Sequence, residues 1–452
     1  MNQELWSKIL AFDFDLPVSE YGFSTRLAKE NNWTRHFTEA AILEYKKFMY
    51  LAATSDMMVS PSPIVDEVWH LHLLFTQSYT DFCEIIGKNV HHIPSTHNRS
   101  DEAKFRQAKE RTQKLYTEAF GPQPSEIWDA STIYAPLQLS NGKYELWSGI
   151  IVGICLWIVL LFPFYFALKG LYIHIDNPYF LFGYLLLTVY TFLTLTRYNR
   201  TQLRKTVNGF DKSAFVFRLH PIELVYLKTQ KVSEVIHGFM NQLVKENKII
   251  VNEDNSLEVA THAKPDTVEE YTIIETLSGM EKAFYPALLK QLQTKPIFTN
   301  IETSMEAFKK YFAKSHVFGK LFFLNFGILS FLLLLGTIRM ATGIARDKPV
   351  ELIGTFLILL LLVSIFFLIY LRNYLFSHTI PDLYRKQELH VHMPSDGWEW
   401  QYFLLGSAVY TTTFTPIASH ADGSGSSSDG GGSSCGSDGG SCSSCGGCGG
   451  GD

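Results

Sequence analysis

The sequence predicts a mainly α protein that crosses a membrane four times. Three observations carry this. Four long apolar stretches, nearly free of charge, fall in two pairs. The segments flanking the first pair place apolar residues at helical spacing. The last stretch is almost entirely Gly, Ser, Cys and Asp, a composition without large apolar groups to bury. The chain of 452 residues therefore divides into an all-α N-terminal domain over 1–135, a transmembrane hairpin over 146–196, a cytoplasmic winged-helix-like and helical module over 197–320, a second hairpin over 321–371, a cytoplasmic segment over 372–421 and a disordered tail over 422–452.

The opening residues, MNQELWSKILAFDFDLP, lack a basic start followed by an apolar core, so they are not expected to act as a signal peptide. The predicted spans are Leu146 to Leu168, Tyr179 to Thr196, Leu321 to Ile338 and Leu352 to Leu371. Each suits a hydrocarbon core of about 30 Å at about 1.5 Å per residue. Pro163 is tolerable where neighbouring helices satisfy the freed carbonyl.

Basic residues set the orientation. Arg197, Arg200, Arg204 and Lys205 follow the second span, Lys309, Lys310, Lys314 and Lys320 precede the third, and Arg372, Arg385 and Lys386 follow the fourth. This places both termini and the middle region in the cytoplasm, at the inner membrane. The loop RMATGIARDKPVE carries three basic residues and runs against the pattern. The span centres hold no Asp, Glu, Lys, Arg or His, and Asn325 is their only strongly polar amide. Ion-coupled transport calls for intramembrane ionisable groups, so the helices read as anchors. A net charge of −5 gives no reason to expect nucleic acid, and the lipid bilayer and protein partners are the expected contacts.

In the N-terminal domain, Phe37, Ala41, Leu43, Phe48 and Leu51 recur at helical spacing. The stretch PSPIVDEVWHLHLLFTQSYTDFCEIIGKNVHHIP concentrates the chemistry. Ser62 as cap and Pro63 in the first turn predict a helix over Ile64 to Ile86, ended by Gly87. Asp66 and His70, four apart, share one face of it, with His72 rotated away. Tyr79 and Cys83 are also four apart, and His91 and His92 lie on a loop able to fold back. Asp66, His70 and His92 would suit zinc, iron or another borderline divalent cation, with Cys83 as a possible fourth ligand. Alternatively, Asp66 orients a histidine. Asp81 is expected in solvent. The competing reading is an ordinary core of Trp69, Leu73, Phe75 and Phe82, in which Asp66 and His70 satisfy each other and His72 points at solvent. For metal-assisted hydrolysis, the available general bases are Glu44 and Glu67.

The run Val65-Asp66-Glu67-Val68-Trp69-His70-Leu71-His72, followed by Tyr79, Cys83, Gly87 and His92-Ile93-Pro94, resembles the signature of the glycine-rich domain-containing protein family, which has plant members implicated in stress responses and many bacterial members of unknown function. The resemblance covers about the first quarter of the chain. It implies a helical domain with a shared polar cluster and no known reaction.

In the middle region, His220 and Pro221 open a short helix with Ile222, Leu224, Val225 and Leu227. A second helix, Val232 to Glu246, stripes Val235, Ile236, Phe239, Met240 and Leu243. KIIV and LEVA then flank a turn, predicting a hairpin. The second helix offers only Lys245 beside Glu234 and Glu246, which argues against reading DNA. Pro221, Glu223, Tyr226 and Leu227, with the paired spans and the tail, resemble an uncharacterised group of bacterial membrane proteins with a Gly/Cys-rich end. In the tail, Cys435, Cys442, Cys445 and Cys448 include a C-x-x-C-x-x-C run, able to wrap a soft metal or cluster if the thiols are reduced, or else flexible and free. The leading functional expectation is a membrane-anchored interaction or regulatory scaffold. The alternatives are a metal-dependent, hydrolase-like enzyme using Asp66, His70 and His92, and metal handling by the histidine cluster together with the cysteine tail.

Overall fold

A computed structural model describes residues 1–93, 99–142, 145–280, 283–391 and 397–424. The N-terminal part contains α1 (Gln3–Ala11), α2 (Phe23–Asn31), α3 (Arg35–Thr54), α4 (Pro63–Leu74), α5 (Thr76–Ile86), α6 (Arg99–Phe120) and α7 (Ser125–Trp128). Of the stripe expected on α3, Phe37, Ala41, Phe48 and Leu51 are buried, together with Tyr45 and Met49, whereas Leu43 is exposed. The helix expected over Ile64 to Ile86 is instead two helices, α4 and α5. They break at Phe75, whose ψ of 64° leaves the helical region and whose N–H donates to the His72 carbonyl at 3.0 Å. The break aims the Phe75 ring at Phe23, with centroids 5.4 Å apart. No Gly or Pro marks it, so tertiary packing overrides local propensity here.

Among the described residues, four helices are long and apolar enough to cross a membrane. They are α8 (Leu146–Ile173), α9 (Asn177–Asn208), and, after the middle region, α15 (His316–Ile344) and α16 (Glu351–Tyr374), which continues through a π-helical turn. Helix α9, with 32 residues, is about 48 Å long and outruns the hydrocarbon core. Its far end enters the body formed by the N-terminal and middle regions, where Leu203 and Val207 join the core. Gly149 and Gly153 on α8 lie one turn apart, and a Cβ on either would collide with Phe323 or Phe326 of α15. Small residues at this spacing admit the close approach on which lipid-embedded packing depends.

Several polar groups inside this bundle are paired, although the buried Ser364 hydroxyl has no hydrogen-bond partner among the described residues. Trp157 Nε1 donates to the Ser330 carbonyl at 2.9 Å and Tyr184 Oη to that of Leu332 at 2.7 Å. Asn325 and Asn199 exchange amide hydrogen bonds of 2.8 and 2.9 Å, and both are buried. Asn199→Leu and Asn325→Leu are each expected to weaken the bundle, with a coupling of about 1 kcal/mol in a double-mutant cycle of SDS-driven unfolding. A coupling near zero would mean that the pair contributes nothing.

The middle region runs α10 (Pro221–Thr229), α11 (Val232–Lys245), β1 (Ile249–Val251), β2 (Ser256–Val259), α12 (Val268–Ser278), β3 (Ala283–Phe284), α13 (Tyr285–Leu292) and α14 (Pro296–Ala313). The expected stripe Val235, Ile236, Phe239, Met240 and Leu243 is buried on α11. The expected hairpin pairs Val251 with Leu257 in antiparallel register, and β3 adds a third strand along β2. After α16 come α17 (Ile380–Val391), α18 (Trp398–Leu405) and α19 (Phe414–Ser424).

The segments outside the four long apolar helices share one core. A continuous buried cluster runs from Ile9 through Tyr226 and Phe308 to Phe414 and Ile417. The Arg35 N–H donates to Glu223 at 2.9 Å, the Arg35 guanidinium meets Glu269 at 3.0 Å, and Lys295 meets Glu20 at 2.7 Å. Just before α8, the Gly142 N–H reaches the Lys314 carbonyl at 2.8 Å, at the start of α15. Phe318 and Leu321 of α15 and Leu371 and Tyr374 of α16 join the same core. At the opposite ends of the spans, the two hairpin loops meet. There Arg339 donates to the carbonyls of Tyr172 and Ile175, and Arg346 to that of Ile173 at 3.4 Å. Two of the three basic residues that run against the charge pattern are thus engaged in capping the C-terminus of α8.

Candidate metal centre

Helix α4 starts where the sequence places it: the Ser62 hydroxyl accepts from the Val65 N–H at 3.2 Å, and Pro63 fills the first turn. Its inner face buries Ile64, Val65, Val68, Trp69, Leu71 and His72. Asp66 and His70 therefore fall on the outer edge, one turn apart. After α5, Gly87 adopts the left-handed conformation (φ 69°), and the Lys88 N–H returns to the Cys83 carbonyl at 3.2 Å. The chain now doubles back along α4. The Lys88 ammonium caps α3 through the carbonyls of Ala52 and Ser55, both at 2.8 Å. Tyr79 accepts from Trp69 Nε1 at 3.2 Å and donates to the Val90 carbonyl, which fixes the chain two residues before His92.

His92 then lands on the outer edge of α4. Its Nε2 lies 3.0 Å from Asp66 Oδ1 and 3.0 Å from His70 Nε2, and His70 Nε2 lies 3.7 Å from Asp66 Oδ2. One donor atom from each residue falls within 4.8 Å of the others. The Trp69 ring meets His92 edge-on, 4.7 Å between centroids, and holds the imidazole in place. Side-chain exposures of 34 % for Asp66, 50 % for His70 and 16 % for His92 put the cluster at the rim of the core rather than inside it. Two imidazoles and a carboxylate are the mixed N and O set that borderline divalent cations take.

Beside the cluster lies a cavity of about 500 Å³, walled by Phe48, Val59, Trp69, Val90 and Phe105 and reached by Asp66 and His92. His91 is exposed at its edge.

Several expectations are corrected. Cys83 is 4 % exposed, packed in the core, and does not join the cluster. His72 is fully buried rather than solvent-facing: it pairs with the Tyr45 hydroxyl at 2.8 Å and Ser78 at 3.1 Å, within a cage of Phe14, Phe23 and Phe82. Asp66 and His70 do not satisfy each other in a core. Glu44 is not available as a base, because Lys47 (2.7 Å), Tyr116 (2.8 Å) and Trp128 (2.7 Å) all converge on its buried carboxylate. Glu67 remains exposed. Asp81 is exposed as expected, accepting from Gln77 at 2.8 Å. Cys435, Cys442, Cys445 and Cys448 lie outside the described residues.

Burial of His72 pushes its pKa down to about 4, since the cage cannot solvate an imidazolium. Unfolded, the imidazole takes a proton near pH 6.5, and folded only near 4. Neutral burial therefore supports the fold fully above pH 6.5 and progressively less as pH falls towards 4. At pH 5 the expected loss is about 2 kcal/mol. His72→Gln should be less stable than the native chain at pH 8 yet lack this acid-dependent loss. Amide-exchange protection of α4 and α5 at pH 8 and 5 reads both, and an unchanged pH dependence in the variant would contradict the assignment.

A second group, Glu246, Asp266 and Glu270, has similar spacing but is filled by a lysine. Lys248 Nζ sits 2.9, 2.6 and 2.8 Å from the three carboxylates, so they form an ion-pair network.

Residues 18–118 match the sequence profile of the UCP032817-like family, which is uncharacterised. No curated protein and no solved structure matches the chain. The match stops before the first span and speaks neither for the glycine-rich resemblance nor for the tail. Asp66, His70 and His92 all lie within it, so the part of this chain that is similar to the UCP032817-like family is the part that builds the cluster.

Proposed function

We propose that the chain is a multi-pass inner-membrane protein whose cytoplasmic body binds a divalent transition-metal ion at Asp66, His70 and His92 and serves as an interaction or regulatory scaffold. The convergence of the three donor atoms carries this reading. Zinc is the best match. Tetrahedral zinc with bonds of about 2.0–2.1 Å spaces its donors roughly 3.3 Å apart, and the observed separations of 3.0, 3.0 and 3.7 Å bracket that value. Three protein ligands leave one position open, beside the cavity.

The cytoplasmic placement rests on the basic residues at the body side of the spans and on the capping role of Arg339 and Arg346. Helices α10 and α11 with the β1–β2 hairpin supply the winged-helix-like order of elements, which we read as a protein-binding module. The charge of α11 does not favour DNA.

The open position and the cavity favour a second reading, a metal-dependent hydrolase. It lacks a general base at Glu44, whose carboxylate is fully engaged, so Glu67 would have to serve.

The test is elemental analysis of the full chain purified in detergent, with metal supplied and then dialysed. About one equivalent of zinc per chain is expected, lost in Asp66→Asn, His70→Ala and His92→Ala. Zinc retained in all three variants would refute the site.

A further inference from the structure

We infer that the cavity beside the cluster binds a small carboxylate ligand with an apolar tail, its head on the metal's open position and its tail against Phe48, Val59, Trp69 and Phe105. This rests on the metal reading above. At about 500 Å³ the cavity is in the range that holds most of a small organic molecule.

The wall formed by residues 52–60 is held by three side chains. Arg111 donates to the Met58 carbonyl at 2.5 Å, the Ser60 N–H to Thr112 Oγ1 at 2.8 Å, and Lys88 to the carbonyls of Ala52 and Ser55. A loop pinned in this way keeps its cavity open without a ligand, which lowers the cost of ordering on binding. Phe48, Val59, Trp69, Val90 and Phe105 supply the apolar part of a mixed lining, and Asp66 and His92 reach the cavity from the cluster. A ligand with a metal-binding head and an apolar tail can use both.

The sign of the head follows from charge. A divalent ion held by one carboxylate and two neutral imidazoles leaves a net positive centre. Lys88 and Asp56 both line the cavity and offset one another, so the metal centre sets the sign of the head. A monoanion is the head that such a centre attracts, and an ammonium is the one it repels. A carboxylate completes the coordination with an oxygen ligand.

The experiment loads the full chain, in lipid nanodiscs, with Co²⁺ and follows its visible absorption. Acetohydroxamate, butyrohydroxamate and octanohydroxamate are titrated as carboxylate analogues. Burial of each added methylene is expected to tighten binding about fourfold over the first several carbons. Val59→Asn and Phe105→Ser are expected to flatten that series while binding cobalt as before. Octanoate should displace the hydroxamate and octylamine should not. An N-acetylated apolar dipeptide with a free carboxylate forms a second arm. Tighter competition by octanoate would indicate an acyl-chain source, and by the dipeptide a peptide C-terminus. Competition by neither would overturn the inference. So would a bound cobalt spectrum that responds equally to short and long hydroxamates, with the metal site left standing. Failure to bind cobalt at all would overturn the metal site and this inference together.

Discussion

Glu44→Ala is expected to cost the N-terminal helices about 3–5 kcal/mol, the largest stability loss among the substitutions considered. Glu44 is 4 % exposed. Its carboxylate joins Lys47 on its own helix to Tyr116 of α6 and Trp128 of α7, and thereby ties three helices together. Removing it leaves the buried Tyr116 and Trp128 donors without their acceptor and takes the counter-charge from the half-buried Lys47, which keeps only the Tyr116 hydroxyl at 3.0 Å. Tyr116 reports the same environment: burial, reinforced by the Glu44 charge, holds its phenol protonated above the ordinary range. Glu44→Gln keeps an acceptor for one donor and should lose less. Hydrogen exchange of the full chain in nanodiscs checks this. Protection in α3, α6 and α7 should fall together in Glu44→Ala, and unchanged protection would mean that the carboxylate is dispensable.

His92→Ala is expected to weaken zinc or cobalt binding by at least about a hundredfold while leaving the fold intact. It removes one of three ligands, and substitutions one layer further out already cost about 10–100-fold in metal sites. His92 sits on the surface of α4, so its loss opens no void in the core. His72→Gln makes the opposite pair of changes: the fold weakens and metal binding stays, since His72 faces the aromatic cage and not the cluster. Competition titrations with a chromophoric chelator measure both variants. Equal metal loss in the two would place the effect in folding rather than ligation.

The four spans and the amphipathic stripes were legible because they are local. Length and absence of charge mark α8, α9, α15 and α16, and the α11 stripe follows from period alone. The Asp66 and His70 pairing was legible for the same reason, being a matter of helical spacing. His92 required knowing that Gly87 turns the chain back, and its presence beyond a helix-ending glycine was the signal. Cys83 misled because spacing of four from Tyr79 says nothing about which face of α5 is buried. The break at Phe75 carried no Gly or Pro, and the role of Glu44 depends on residues 72 and 84 positions away. Neither leaves a trace in a single sequence. The shared core of the N-terminal and middle regions was hidden for the same reason. Arg35 meets Glu223 and Glu269 across separations of 188 and 234 residues.

The most direct measurement is X-ray absorption at the zinc edge of the full chain loaded with one equivalent of metal. The account expects nitrogen and oxygen scatterers at about 2.0–2.1 Å, with imidazole outer-shell features and no sulfur. A shell of sulfur at about 2.3 Å would place the metal on cysteines and contradict the assignment to Asp66, His70 and His92.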